Sequence, residues 1–336
     1  MAFRRTFVRL LLVVFACATA VGGFEAWRAL TPTDALAAGP RVVDIPAQQG
    51  VLTIARRLRD AEVIPSAEAF VALGVVRGTA RSLRAGEYEF PQGTTAVSAL
   101  RMLESGKVRL HPVLHPEGAT VAELARTIDK QGLARADDVL RAASDPAFLR
   151  SVGIEAASLE GYVFPDTYYF TRGLTAEQML TRTVQRLRAK LTAEVVARAR
   201  ARGLDVHRLL TLASIIEREA VVQDERRLIA AVFWNRLQLG MPLQADPTVQ
   251  YAVGKERRAL TRADLASEHP FNTYTHTGLP PGPIASPGLA VIEATLDPAP
   301  VNYLYFVASD DHRHRFSTTV EEHNAAVARY RLARPR

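Results

Sequence analysis

The chain of 336 residues has a single cysteine, Cys17, and only four lysines among its 42 basic residues. One thiol excludes an intramolecular disulfide framework and a cysteine-based zinc site. The other basic residues are arginines scattered along the chain, so the net charge of +7 does not indicate a nucleic-acid-binding module. With 48% hydrophobic and 23% charged residues the chain is not generally disordered, and its length suggests about two domains.

Residues 7–24 form a largely apolar stretch without an acidic residue, and arginines precede it. Such a length is compatible with a membrane span or with a signal peptide, and the positive-inside rule places the arginines in the cytoplasm. We therefore expect an uncleaved single-pass protein of the cell inner membrane with its larger part in the periplasm. A cleaved signal peptide is the alternative, because Ala18-Thr19-Ala20 fits a cleavage site. The expected bounds are a cytoplasmic tail at 1–6, a transmembrane anchor at 7–29 and a linker at 30–40.

Residues 41–111 show the pattern of a small β-α-α-β unit. The pattern predicts strands at 42–46 and 86–91, with helices at 53–61 and 66–73 between them and a further helix that begins at Thr95. This order resembles LysM-like carbohydrate-binding modules, although a unit that only packs fits the pattern equally well.

Residues 112–336 form a larger unit of mixed α+β class. Strands are expected at 113–114 and 303–308, and the unit closes with a helix at 319–332. A loop rich in proline, glycine, threonine and asparagine is expected at 241–287. Further helices are expected after Thr120 and over 136–143, 175–202, 206–221 and 225–239.

Two glutamates, Glu217 and Glu219, lie in a predicted helix that is otherwise mostly apolar. Their spacing places them about 200° apart, on opposite sides of the apolar stripe. A carboxyl group against an apolar surface loses solvation, so its pKa rises and it can act as a general acid. Two solvated glutamates at a helix edge fit the same spacing, and the periodicity does not decide between them.

A second set of candidates consists of polar side chains that suit a polyhydroxylated ligand such as a glycan. Asn235 lies in the apolar stripe of the next helix, where its amide needs a partner. The other members are Gln244, Asp246, Thr248 and Tyr251, followed by Asn272, Thr273 and Tyr274. By contrast, the histidines near the C-terminus (His312, His314 and His323, with Asp310 and Asp311) are a weak metal signal, and we expect no metal site.

The order of motifs resembles the YceG-like endolytic murein transglycosylases over nearly the whole chain. The matching segments are LEGYVFPDTY at 159–168, ASIIEREA at 213–220, NRLQLGMPLQADPTVQYA at 235–252, NTYTHTGLPPGPIASPG at 272–288 and YLYFVA at 303–308. The first segment adds Glu160 to the supporting candidates.

The resemblance implies that the second glutamate of ASIIEREA, Glu219, is the essential acid and that Glu217 supports it. It implies a lyase without metal or cofactor, which cleaves the β-1,4 bond between N-acetylmuramic acid and N-acetylglucosamine inside nascent glycan strands and leaves 1,6-anhydro ends. Such internal cuts would set the length of the glycan strands. The implied partners are peptidoglycan strands, the inner membrane through one helix and, as candidates, peptidoglycan synthases. A glycan-binding scaffold without turnover and a water-using muramidase are the alternatives.

Overall fold

The computed structural model describes residues 2–31, 39–255, 258–309 and 313–333. Helices predominate over a few short strands that pair two by two, which confirms the α+β class. The contacts divide the chain into an N-terminal unit, Met1–His111 with Thr171–Gly173, and a C-terminal unit, Pro112–Phe170 with Leu174–Arg336. Of the expected linker at 30–40, residues 32–38 lie outside the described chain, as do Asp310, Asp311 and His312.

The N-terminal unit is built around one antiparallel strand pair. Its elements are α1 (Ala2–Leu30), β1 (Arg41–Ile45), α2 (Val51–Asp60), α3 (Ala67–Val76), β2 (Gly86–Phe90) and α4 (Ala96–Ser105). Val43 of β1 lies opposite Tyr88 of β2, and both side chains are buried in the core of the unit. Ser66 and Thr95 cap the N-termini of α3 and α4 through their hydroxyl oxygens. The strand pair, the amphipathic helix α2 and the mostly apolar helix α3 together bury one core and form the strand–helix–helix–strand order.

Helix α1 does not have the properties expected of the transmembrane anchor at 7–29. Within the described residues, no helix is both long enough and apolar enough to cross a membrane. The predicted single-pass anchor, and with it the predicted location in the inner membrane, is therefore wrong. The strongly apolar part of α1 spans only residues 10–21, whereas a span needs about 20 apolar residues. Charged residues, Arg9 and Glu25, stand close to its two ends.

The C-terminal unit is mainly helical. Its strands are β3 (His111–His115), β4 (Asp166–Phe170), β5 (Tyr305–Ala308) and β6 (His314–Ser317), and β3 pairs with β4 while β5 pairs with β6. Its helices are α5 (Val121–Lys130), α6 (Ala136–Ser144), α7 (Pro146–Ser151), α8 (Ala176–Lys190), α9 (Ala193–Ala201), α10 (Val206–Glu219), α11 (Arg226–Gln238), α12 (Asp246–Ala252), α13 (Arg262–Leu265), α14 (Leu289–Leu296) and α15 (Val320–Ala333). Helix α10 packs against α9, α11, α12 and α14, which makes it the central element of this unit.

Strands β4 and β6 and helices α7 and α14 were not predicted from the sequence, and two predicted segments differ from the expectation. The helix expected over 175–202 is two helices, because Thr192 accepts a hydrogen bond from the Val195 backbone N–H at 3.3 Å and so caps α9 as a separate helix. The loop expected over 241–287 contains the short helices α12 and α13. Pro247 lies in the first turn of α12, where its missing N–H costs no hydrogen bond.

Candidate active site

Helix α10 ends at the pair of glutamates. Asp205 caps its N-terminus by accepting a hydrogen bond from the Arg208 backbone N–H at 2.7 Å. Residues 209–216 are all buried, whereas the last turn, which holds Glu217 and Glu219, is partly exposed. The apolar helix thus fixes both carboxyl groups at the edge of the core, where desolvation and neighbouring charges act on them.

Glu217 is bound to neighbouring segments. Its Oε2 accepts a hydrogen bond from the Gly288 backbone N–H at 2.8 Å, just before α14 begins. Its Oε1 lies 3.7 Å from Nη2 of Arg226, which also lies 3.3 Å from Oε2 of Glu117. Burial raises the pKa of Glu217, and the Gly288 N–H and Arg226 oppose the rise. These bonds suit a carboxylate that holds α10, α11 and α14 together.

Glu219 is in a different environment on the other side of the helix. Burial raises its pKa to about 8; the negative charge of Asp246 adds to the rise, and Arg218 and Arg236 oppose it. Its carboxyl group makes no hydrogen bond or ion pair with the side chains that the structure describes. Glu219 therefore holds its proton near neutral pH and can transfer it to a bound molecule.

This proton has a consequence for stability. Since the pKa of Glu219 is about 8 in the folded chain and near its ordinary value of 4.5 in the unfolded chain, only the folded chain binds the proton between these pH values. The bound proton on Glu219 stabilises the folded chain. This stabilisation is fully present below pH 4.5, and as the pH rises to about 8 the free energy of unfolding falls by up to about 1.4 kcal/mol per pH unit. We expect Glu219→Gln to gain melting temperature relative to wild type across this window. Thermal unfolding at several pH values checks this, and a difference that does not change with pH would contradict it.

Asp246 and Tyr274 form a polar pair within electrostatic reach of Glu219. Asp246 is the first residue of α12, and its Oδ1 accepts a hydrogen bond from the Tyr274 hydroxyl at 2.6 Å. Burial raises the pKa of Tyr274, and the bond to Asp246 raises it further, so the hydroxyl stays protonated and donates. Both residues are among the candidates predicted from the sequence, and the structure joins them by this hydrogen bond within electrostatic reach of Glu219.

Arg236 is a residue of this site that the sequence analysis missed. Its Nε donates to the Leu304 carbonyl at 2.6 Å and its Nη1 to the Leu243 carbonyl at 2.8 Å. Its guanidinium lies over the ring of Tyr305, 5.1 Å from the centroid. Burial lowers its pKa, but Tyr305, Tyr274 and Glu219 oppose the change. Its place directly after Asn235 in the NRLQLG motif was the available signal.

The polar residues of 244–251 mostly stabilise the loop from within. Gln244 has a positive φ of 50°, donates its backbone N–H to the Thr273 carbonyl at 3.0 Å and accepts from Arg236 Nη1 at 3.4 Å. The buried hydroxyls of Thr248 and Thr273 lie 2.9 Å apart. Tyr251 packs against the ring of Phe271 at 5.1 Å between centroids.

Three further candidates have internal partners. Asn272 is buried and donates to the carbonyls of Leu265 and Ser267, at 3.0 and 2.7 Å. Asn235 donates its amide to the carbonyls of Val301 and Tyr303, each at 2.9 Å. Glu160 accepts the Val121 backbone N–H at the start of α5 at 3.2 Å. These side chains shape the site through the backbone, whereas Asp246 and Tyr274 are hydrogen-bonded to each other and interact electrostatically with Glu219.

The PPGP loop at 280–283 is held beside α10. The Ile284 backbone N–H donates to the Ser214 hydroxyl at 3.0 Å, and His207 Nε2 lies 2.8 Å from the Pro281 carbonyl oxygen. Gly161 has a φ of 78°, and a Cβ there would lie 2.3 Å from Cβ of Pro283. The glycine of the LEGYVFPDTY motif is therefore required by close approach to this loop.

The C-terminal histidines make other contacts. His314 Nδ1 lies 2.7 Å from Oε2 of the buried Glu225, and the ring of His323 stacks on Tyr305 at 5.2 Å. No group of three metal-ligating side chains occurs in the part of the chain that the structure describes.

The chain as a whole is similar to proteins of one family. Residues 43–329 match the YceG-like family. An endolytic murein transglycosylase of Bacillus subtilis (strain 168) is 33% identical over 303 residues, which cover 86% of this chain and 84% of that protein. One of Streptococcus pneumoniae serotype 2 is 29% identical over 95% of this chain and 64% of its own length.

A solved structure shows the same similarity. The crystal structure of a YceG-like protein from Listeria monocytogenes matches with a TM-score of 0.61 and 34% identity, covering 85% of this chain and 99% of that chain. With an α+β fold, a partly buried acid at the end of α10 and these matches, the chain belongs to the YceG-like family.

Proposed function

We propose that the chain is an endolytic murein transglycosylase, a lyase that cuts the β-1,4 bond between N-acetylmuramic acid and N-acetylglucosamine within peptidoglycan strands. The supporting observation is Glu219, whose pKa of about 8 keeps a proton available at the polar end of α10. The names of the bacterial relatives support the same substrate and reaction class.

The reaction needs one acid. Glu219 protonates the leaving glycosidic oxygen, and the C1–O bond breaks with positive charge at C1 of the muramic acid. The Glu219 carboxylate then accepts the proton of the C6 hydroxyl of the same sugar, whose oxygen bonds to C1 and closes the 1,6-anhydro ring. Glycosidases that use water or an enzyme nucleophile need two carboxylates, whereas an internal hydroxyl has a high effective concentration.

Product analysis tests the reaction. The full chain is incubated with glycan strands in water enriched in heavy oxygen, and the new ends are analysed by mass spectrometry. We expect ends that are lighter by one water molecule than a reducing end and carry no heavy oxygen, with mean strand length falling before small fragments appear. Labelled reducing ends would instead show hydrolysis, and intact strands with tight binding would show a scaffold.

The chain has two domains in this proposal. We assign residues 41–111 to a LysM-like glycan-binding domain and residues 112–336 to the catalytic domain. The pairing of β1 with β2 around α2 and α3 supports the first assignment. Internal cuts made in nascent strands would set strand length, and peptidoglycan synthases are the candidate protein partners for that step.

A further inference from the structure

We infer that Asp246, held in place by Tyr274, is a positioning residue that keeps the proton on Glu219 before cleavage and draws it back afterwards. The inference rests on the proposed function for its catalytic meaning, although its electrostatic part is testable without substrate.

The geometry fixes Asp246 from two directions. Pro247 follows Asp246 and fixes the start of α12, which packs against α10. On the other side, the Tyr274 hydroxyl donates to Asp246 Oδ1 at 2.6 Å. Tyr274 is itself fixed, because its backbone N–H donates to the Asn272 side-chain oxygen at 2.9 Å. The carboxylate of Asp246 is therefore held by both segments at the start of α12, and its charge acts on Glu219 from the helix packed against α10.

The charges near Glu219 act in opposite directions. Arg218 on α10 and Arg236 on α11 lower the pKa of Glu219, whereas Asp246 on α12 raises it in addition to burial. Tyr274 is neutral and orients Asp246. The guanidinium of Arg236 is held by backbone carbonyls: its Nε donates to the Leu304 carbonyl at 2.6 Å and its Nη1 to the Leu243 carbonyl at 2.8 Å. Among the charged groups of the described chain that act on Glu219, Asp246 is thus the one that disfavours its ionisation.

This balance suits both halves of the reaction. Before bond cleavage, the like charge of Asp246 disfavours loss of the Glu219 proton to solvent. After Glu219 has donated, its carboxylate carries the same charge as Asp246, and the repulsion between them makes Glu219 a stronger base toward the C6 hydroxyl. The same group therefore helps to restore the acid within one turnover.

The test compares pH profiles of kcat for the full wild-type chain, Asp246→Asn and Tyr274→Phe. Asp246→Asn removes the like charge, so we expect its alkaline limb to move down by about half to one pH unit, with a rate deficit that grows with pH. Tyr274→Phe keeps the charge of Asp246 but removes the hydrogen bond that holds its carboxylate, so we expect a smaller shift of the alkaline limb than in Asp246→Asn. Because Asp246 is exposed, the wild-type and Asp246→Asn limbs should converge at about 1 M salt.

Asp137→Asn is the matched control, since it removes one carboxylate whose side chain is 74% exposed on α6. We expect its profile to match wild type. A second readout needs no substrate: the pH-dependent gain in melting temperature from Glu219→Gln should be smaller in an Asp246→Asn background.

The outcomes separate the two hypotheses. A uniform rate loss in Asp246→Asn with an unmoved limb, or an unchanged stability gain in the double variant, would overturn the inference. Wild-type chain that leaves no anhydro ends would overturn the proposed function, and the stability readout would still decide whether Asp246 acts on Glu219.

Discussion

Glu219→Gln is expected to abolish glycan cleavage, with a loss of at least ~10²–10⁴-fold in turnover. Glutamine preserves the volume of the side chain but carries no proton that can be donated to a glycosidic oxygen. The carboxyl group of Glu219 makes no bond to other described side chains, so its replacement leaves the surrounding network in place. The measurement is initial turnover on purified strands, with thermal unfolding to show that the fold is retained.

Glu217→Gln is the matched control on the same helix. Its oxygen can still accept from Gly288, now 2.8 Å from the carboxylate, but the variant loses the charge that faces Arg226. We expect a modest loss of stability and a much smaller loss of turnover. If Glu217→Gln proved the more damaging of the two, or if Glu219→Gln kept turnover within tenfold of wild type, the assignment of the acid would be wrong.

The positions of these two glutamates on opposite sides of the helix could be predicted from the sequence. A helical repeat puts positions two apart on different sides, and in the structure Glu217 binds the Gly288 backbone N–H while Glu219 makes no such bond within the described residues and is subject to the charge of Asp246. The choice of Glu219 came from the resemblance to a family, because a periodic pattern carries no information about which side is solvated. The α+β class and most helices followed from the same local patterns.

Contacts between distant segments were not predictable in this way. Tyr274 and Asp246 are 28 positions apart, and their hydrogen bond depends on how the loop folds around α12. The amides of Asn235 and Asn272 were expected to face a ligand or to need a partner, and both donate to backbone carbonyls. A polar residue in a loop motif can serve the loop or the ligand, and composition does not distinguish the two.

The N-terminal expectation failed for a different reason. A run of apolar residues after arginines is typical of a membrane anchor, but the criterion is a sustained length of about 20 apolar residues. Residues 10–21 fall short of it, and the described helices contain none that meets it. The apolar stretch after the arginines is therefore too short for the anchor that its flanking residues indicated.

Asn272→Ala is expected to have the largest effect on stability. The buried amide satisfies the Leu265 and Ser267 carbonyls at 3.0 and 2.7 Å, and its oxygen accepts the Tyr274 backbone N–H at 2.9 Å. Alanine leaves three backbone groups without these partners; because the bonds are part-buried, each loss costs about the lower end of the 1–3 kcal/mol of a buried group. We expect the free energy of unfolding to fall by about 3 kcal/mol, measured by denaturant titration.

Activity should fall together with stability in this variant, because Tyr274 loses the bond that positions it against Asp246. Asn324→Ala removes an exposed amide on α15 and serves as the control, with stability within about 0.5 kcal/mol of wild type. The contrary result is a chain with Asn272→Ala that unfolds like wild type but no longer binds glycan. That outcome would mean that the amide contacts the sugar directly, and that the loop is held by the Thr248–Thr273 pair without it.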